Sequence, residues 1–112
     1  MSDIVTTYLE NVVNKTWNKW GRATNIHEEI LNAVLGLAGE AGEVADLHKK
    51  MFFHGEKAGR REQLKLELGD VYFYLAKLQD LYGFTTEEIL NANKEKLFER
   101  HSINDSNQVR QM

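Results

Sequence analysis

Four carboxylates stand where the apolar spacing of two segments calls for hydrophobic side chains. Glu40 lies three residues after Leu37 and four before Val44, and Glu67 lies three after Leu64 and four before Val71. Glu43 and Asp70 each follow three residues later, about 60° to one side on a helix that turns roughly 100° per residue. Each segment therefore carries an acid-x-x-acid pair, with one member inside the apolar stripe and one at its edge. If the two stripes pack together, the four acids converge, and partly buried carboxylates that are not neutralised repel and are costly to desolvate. Protonation, pairing with Lys or Arg, or a divalent cation would relieve them. A donor set made only of oxygen suits Mg²⁺, with Mn²⁺ as the alternative, and does not suit zinc or copper. A di-iron bundle needs Glu-x-x-His on its helices, and none of the four histidines has a Glu three residues before it. A lone Glu-x-x-Glu is usually a solvated helix face. Two such pairs in phase with two apolar stripes favour a metal site over a groove of acids relieved by lysines.

The charge balance agrees. The formal net charge is −3, and removing the four negative charges of Glu40, Glu43, Glu67 and Asp70 turns it into +1. The acidity is thus local, which points to a bound cation. Nucleic-acid binders carry a basic excess that this chain lacks. With no cysteine, disulfides, thiolate metal sites and thiol nucleophiles are excluded. The opening MSDIVTTYLENVV has no basic region followed by an apolar core, so no signal peptide is expected. No apolar run approaches the roughly 18 residues that would span a bilayer. The expectation is one cytoplasmic domain over residues 1–101, with a polar tail over 102–112 and no membrane or nucleic-acid partner.

The spacing predicts four helices. The first runs from about Asp3 to Trp17 with Ile4, Tyr8, Val12 and Lys15 on one face. The second starts at Asn25, where Asn-x-x-Glu28 is an N-cap with a capping-box acid. Its stripe is Ile30, Ala33, Leu37, Ala41, Val44, Leu47 and Met51, and it stops near His54 and Gly55. The third spans about Arg60 to Tyr82 with Leu64, Leu68, Val71, Leu75, Leu78 and Tyr82 on its stripe, and Gly83 ends it. The fourth opens at the capping box Thr85-x-x-Glu88, carries Ile89, Ala92, Leu97 and Phe98, and ends near His101. Short connections favour antiparallel neighbours, hence an all-α, four-helix antiparallel bundle. Four short helices with a metal site in their stripe are short of apolar packing, so at least a two-fold dimer is expected.

The segment LGLAGEAGEVAD, residues 35–46, followed by ELGDVYFYL, residues 67–75, strongly resembles the MazG-like, all-alpha nucleoside triphosphate pyrophosphohydrolases. Their pattern is ExxE, a spacer of a couple of dozen residues, then ExxD; here the spacer is residues 44–66, and the resemblance covers about residues 26–101. It implies Mg²⁺-dependent hydrolysis of a nucleoside triphosphate to the monophosphate and pyrophosphate, in the service of cleaning or balancing the nucleotide pool. It also implies that Glu40, Glu43, Glu67 and Asp70 hold the metal, and that the bundle works as a homodimer or homotetramer with sites near subunit interfaces.

Both lines of reasoning lead to the same expected chemistry. A carboxylate not saturated by metal acts as general base on the attacking water. Glu43 is the candidate, because an edge position faces both metal and solvent. Asn93, Lys96 and Arg100 share one helix face and resemble the family's late polar and basic stretch, so they are expected on the phosphates. Tyr74, four residues after Asp70, overlooks the acids. Asn32 is close to the phase of the acid face and matches an Asn in dCTP-hydrolysing relatives. His27, Trp17 and Trp20 lie where those relatives hold the base, although core packing is at least as natural a fate for the tryptophans and exposure the more natural one for His27. Gly36 falls beside the acid face, where a missing side chain leaves room for ligand. The rival readings are a phosphoribosyl-ATP-type pyrophosphohydrolase and a non-catalytic helical oligomer whose acids hold a structural cation.

Overall fold

The computed structural model describes residues 4–21, 25–55 and 58–102. The described residues are all-α, with no strand among them. The order is α1 (Ile4–Tyr8), a π-helical segment (Leu9–Val13), α2 (Asn14–Trp20), α3 (Ile26–His54), α4 (Arg60–Leu81) and α5 (Thr86–Ser102). The chain forms two compact units, Met1–Tyr82 and Gly83–Met112. No helix among the described residues is long and apolar enough to cross a membrane.

In the first unit, α1, the π segment and α2 run on without a break, since Tyr8, Val13 and Asn14 all keep right-handed helical angles. The helix passes the expected end at Trp17 and stops at Gly21, which takes the left-handed conformation (φ 53°, ψ 28°). A glycine adopts it without a Cβ penalty. The face also differs from the one expected. Ile4 is 83 % and Val12 44 % exposed, whereas Val13 and Trp17 are buried. The cause is the π segment, whose i→i+5 bonding admits one residue more than an α-turn. The line that begins at Tyr8 continues through Val13 and Trp17, not Val12.

Helix α3 begins as its sequence dictates. Asn25 is extended (φ −155°) and its side-chain Oδ1 accepts the N–H of Glu28 at 3.0 Å, satisfying one of the orphan donors of the first turn. Its inward stripe follows the expected one, with Ala33 and Leu47 buried and Ile30, Leu37, Val44 and Met51 half-buried; Ala41 is exposed. Helices α3 and α4 pack together as an antiparallel pair joined by residues 55–59. Gly36 meets Tyr74, Glu40 senses Asp70 and Glu43 senses Glu67, so the partners run in opposite directions along the pair.

Helix α4 departs from a single stripe. Leu64, Val71 and Leu78 are half-buried, but Leu68, Leu75 and Tyr82 are exposed. The buried residues are Ala76 and Lys77, which belong to a second inward face, turned toward the N-terminal helix. There Lys77 Nζ donates to Asn14 Oδ1 at 3.0 Å and sits 5.2 Å from the centre of the Trp17 ring, with Asp80 at 3.8 Å. An ammonium is tolerated at this depth because it is hydrogen-bonded, faces a π-system and has an anion nearby. Packing on two sides defeats a one-stripe reading of α4.

In the second unit, α5 opens with a reciprocal capping box. Thr85 Oγ1 accepts the Glu88 N–H at 3.1 Å, and Glu88 Oε1 accepts the Thr85 N–H at 2.8 Å. Gly83, with φ 76°, supplies the positive φ that ends the preceding helix. The polar tail from residue 103 onward, and Asp3 at the start, lie outside the described residues.

Candidate metal centre and adjoining cleft

The antiparallel α3–α4 pair brings three of the four acids to one point. Glu40, Glu67 and Asp70 each offer a carboxylate oxygen, and these oxygens all lie within 4.8 Å of one another. Glu40 and Glu67 are half-buried, while Glu43 and Asp70 are exposed, matching the expected split between stripe and edge. Glu43 stands outside the trio but close enough for its charge to act on Glu40 and Glu67.

Electrostatics at this point are those of anions held together. Burial first, then the charges of Asp70, Glu67 and Glu43 and a hydrogen bond with Asp70, push Glu40 above the ordinary carboxylate range. Glu67 is pushed the same way by burial, by Glu43 and Asp70, and by its own hydrogen bond with Asp70. Among the described residues, no ion pair involves any of the four; the lysines nearby in sequence bind other acids, Lys65 pairing with Glu62 at 3.1 Å and Lys49 and Lys50 with Asp46 at 3.4 and 3.1 Å. Oxygen-only donors, mutual repulsion and no cationic partner fit a hard divalent cation.

Tyr74 borders the acids. Burial, then the charges of Glu40 and Asp70, raise its phenol above the usual range, and the same two causes, burial and then Asp70, raise that of Tyr8. The Tyr74 ring lies close against Gly36: a Cβ there would stand 2.2 Å from Cε1. The space left by the missing side chain is thus filled by Tyr74, not by a ligand as the sequence suggested. Gly36→Ala is expected to cost about 1–3 kcal/mol through overpacking, more than the ~1 kcal/mol by which Ala surpasses Gly inside a helix. Urea denaturation checks the sign: a variant more stable than the wild type would mean that the ring yields freely.

Tyr74 also lines a cleft of about 760 Å³, whose other walls include Trp17, Lys19, Trp20, Glu29 and Asn32. Trp17 packs at 5.7 Å from Trp20 and edge-on to Tyr74 at 6.5 Å, and Trp20 lies 6.4 Å from Tyr74 and 5.6 Å from Phe73, centre to centre. Trp17 Nε1 donates to Glu29 Oε1 at 3.0 Å. Trp17 is therefore a core residue and a cleft wall at once, while Trp20 remains partly exposed. His27 is exposed in the first turn of α3 and does not line the cleft. Asn93, Lys96 and Arg100 are all exposed on α5, within the second unit.

Two members of this arrangement escape the sequence reading. Glu29 reads as a dipole-favouring acid in a helix's first turn, and only the fold sets Trp17 beside it. Tyr8 reads as a core residue, and its proximity to Asp70 depends on how the N-terminal helix lies on α4.

Comparison with known proteins agrees with the geometry. The model of the MazG nucleotide pyrophosphohydrolase domain matches residues 27–103. The chain is 35 % identical over 78 residues to the Gene 37 protein of Mycobacterium phage L5, a match covering 65 % of this chain and 67 % of that protein. No solved structure matches significantly. The match spans both acid pairs and the helices that carry them, and the chain belongs to the MazG nucleotide pyrophosphohydrolase family.

Proposed function

We propose that the protein hydrolyses a nucleoside triphosphate to the monophosphate and pyrophosphate, with Mg²⁺ held by Glu40, Glu67 and Asp70 and, at the edge, Glu43. The observation that carries this reading is the convergence of three carboxylates from two helices within 4.8 Å, with no ion pair among the described residues to neutralise them. When bound, Mg²⁺ offsets the acids' repulsion and the triphosphate's charge.

The chain's own groups do the rest. Glu43, exposed and outside the trio, accepts the proton of the attacking water. The water oxygen bonds to the scissile phosphorus as the bridging oxygen leaves with pyrophosphate. Tyr74 is near the acids and also lines the cleft, and Trp17 and Trp20 give the base aromatic walls. Asn32 supplies a hydrogen-bonding amide there. Asn93, Lys96 and Arg100 contact the phosphates; their shared face and exposure support the assignment. Exposed apolar side chains on α3, Leu31, Val34 and Leu35, support association into a homodimer or larger homo-oligomer.

The test is incubation with each NTP and dNTP plus Mg²⁺, reading pyrophosphate against orthophosphate. Pyrophosphate from at least one of them is expected, and Glu43→Gln should slow it by about 10²- to 10⁴-fold while Mg²⁺ still binds. Near-normal turnover in that variant would take the base role from Glu43. Silence from every nucleotide would sink the hydrolase reading.

A further inference from the structure

Among the described residues Lys77 is the one buried charged side chain, 6 % exposed, and the proposed function gives it no task. A paired charge at such depth contributes little to stability over an apolar side chain of similar volume, which often serves the fold as well or better. Stability alone therefore does not account for a lysine here, and its surroundings are specific. Its Nζ donates to Asn14 Oδ1 at 3.0 Å and lies 5.2 Å from the centre of the Trp17 ring. Asn14 and Trp17 are three residues apart on α2 and share a face. One ammonium thus grips that face at two points, with Asp80 at 3.8 Å balancing its charge.

Seen from the indole, the arrangement is a three-point hold. Trp17 Nε1 donates to Glu29 Oε1 on α3 at 3.0 Å, and a single hydrogen bond leaves a ring able to pivot about it. Tyr74 meets the indole edge-on at 6.5 Å, centre to centre. Lys77, three residues after Tyr74 on α4, meets its face. Without the ammonium, the N–H bond and the edge contact remain, but nothing charged fixes the face. Trp17 and Tyr74 both line the cleft, and Tyr74 also borders the acids. A tilt of the indole would therefore reach the substrate through Tyr74 while every carboxylate stays in place. We infer that Lys77 is a positioning residue, which touches no substrate and holds Trp17 against Tyr74 in the geometry that binds one.

This inference rests on the proposed reading of the site as a nucleotide hydrolase, and one arm of its test needs no substrate. On the full chain with Mg²⁺, kcat and KM are measured for the NTP or dNTP that the wild type cleaves best. Urea midpoints and hydrogen exchange of the Trp17 indole N–H, followed by NMR, are measured alongside. Lys77→Met keeps an unbranched side chain of similar length and removes the charge and its three donors. The variant should be at least as stable as the wild type. Its KM should rise about 10-fold, as when a distant change misplaces a binding group, with kcat held within about twofold. Exchange of the indole N–H should quicken about 10-fold through local opening, while backbone amides of α3 and α4 keep their rates. Asn14→Ala, which removes the acceptor and leaves Lys77 in place, should move KM and indole exchange the same way by a smaller factor, and it decides the matter if Lys77→Met does not fold. KM or indole exchange left at its wild-type value would overturn the assignment, whatever the stability, and so would a fall in kcat at constant KM. If no triphosphate is cleaved, the hydrolase reading fails, and indole exchange alone decides: faster exchange in Lys77→Met supports the hold on Trp17, and unchanged exchange overturns it.

Discussion

Glu40→Gln is expected to make the metal-free protein more stable while ending pyrophosphate release. The two effects have one origin. Glu40 is crowded by Asp70, Glu67 and Glu43, and its carboxyl is raised above the ordinary value of 4.5. A carboxyl that holds its proton more tightly in the folded chain than in the unfolded one contributes stability that is fully present below its unfolded value. That contribution is lost as pH rises through the folded value. Glu67, shifted the same way, adds to the slope. The metal-free wild type should therefore lose stability as pH climbs from about 4.5 toward neutrality, and Mg²⁺ should raise Tm more at neutral than at acid pH. Glutamine removes a repelling charge at a position still open to screening water, so the gain is modest, about 2–4 °C in Tm. Turnover should fall by about 10³-fold or more, as when a group that stabilises transition-state charge is lost. Thermal melts with chelator and with Mg²⁺, at pH 5 and pH 7 for instance, combined with a pyrophosphate assay, check both halves. Retained turnover would remove Glu40 from the metal set.

Trp17→Ala should be the most damaging single substitution to the fold among those considered. Trp17 is 5 % exposed, donates to Glu29, lies edge-on to Tyr74 and lies beneath the Lys77 ammonium. Truncating a buried tryptophan costs about 3–5 kcal/mol, a large share of the roughly 5–15 kcal/mol that keeps a domain folded. Trp17→Phe keeps an aromatic body and removes the N–H, so it should cost less, about 1–3 kcal/mol including the unpaired acceptor. Urea midpoints followed by circular dichroism separate the variants. A loss below about 1 kcal/mol for the alanine variant would show that the cleft wall is not part of the core.

What the sequence reveals and what it withholds divide along physical lines. The acid pairs are legible because carboxylates inside an apolar stripe contradict the period around them, and the α3–α4 pairing then brings three of the four together. The helix ends at Asn25, Gly83 and Thr85 are legible because caps are local chemistry. Trp17's position is not, since it depends on a π segment at Leu9–Val13 that no residue type announces. The second inward face of α4 is hidden for another reason: its central members are Ala76 and Lys77, and a lysine reads as solvent-exposed until Asn14 and Trp17 are seen around it. Glu29 is hidden because an acid in a first turn has an ordinary explanation.

The π segment also bears on which sequence changes this fold tolerates. Substitutions within Leu9–Val13 alter side chains one at a time and leave the direction of the chain intact. A one-residue deletion there would restore an ordinary α-turn in which the former Val13 stands four residues after Tyr8, so the line through Val13 and Trp17 would stay in place. A one-residue insertion in the α-helical turns after it would instead rotate the downstream residues by roughly 100°, and the cleft would lose its indole wall and Lys77 its aromatic cover without any of those residues being changed. The N-terminal helix thus has one residue it can lose and none it can readily gain.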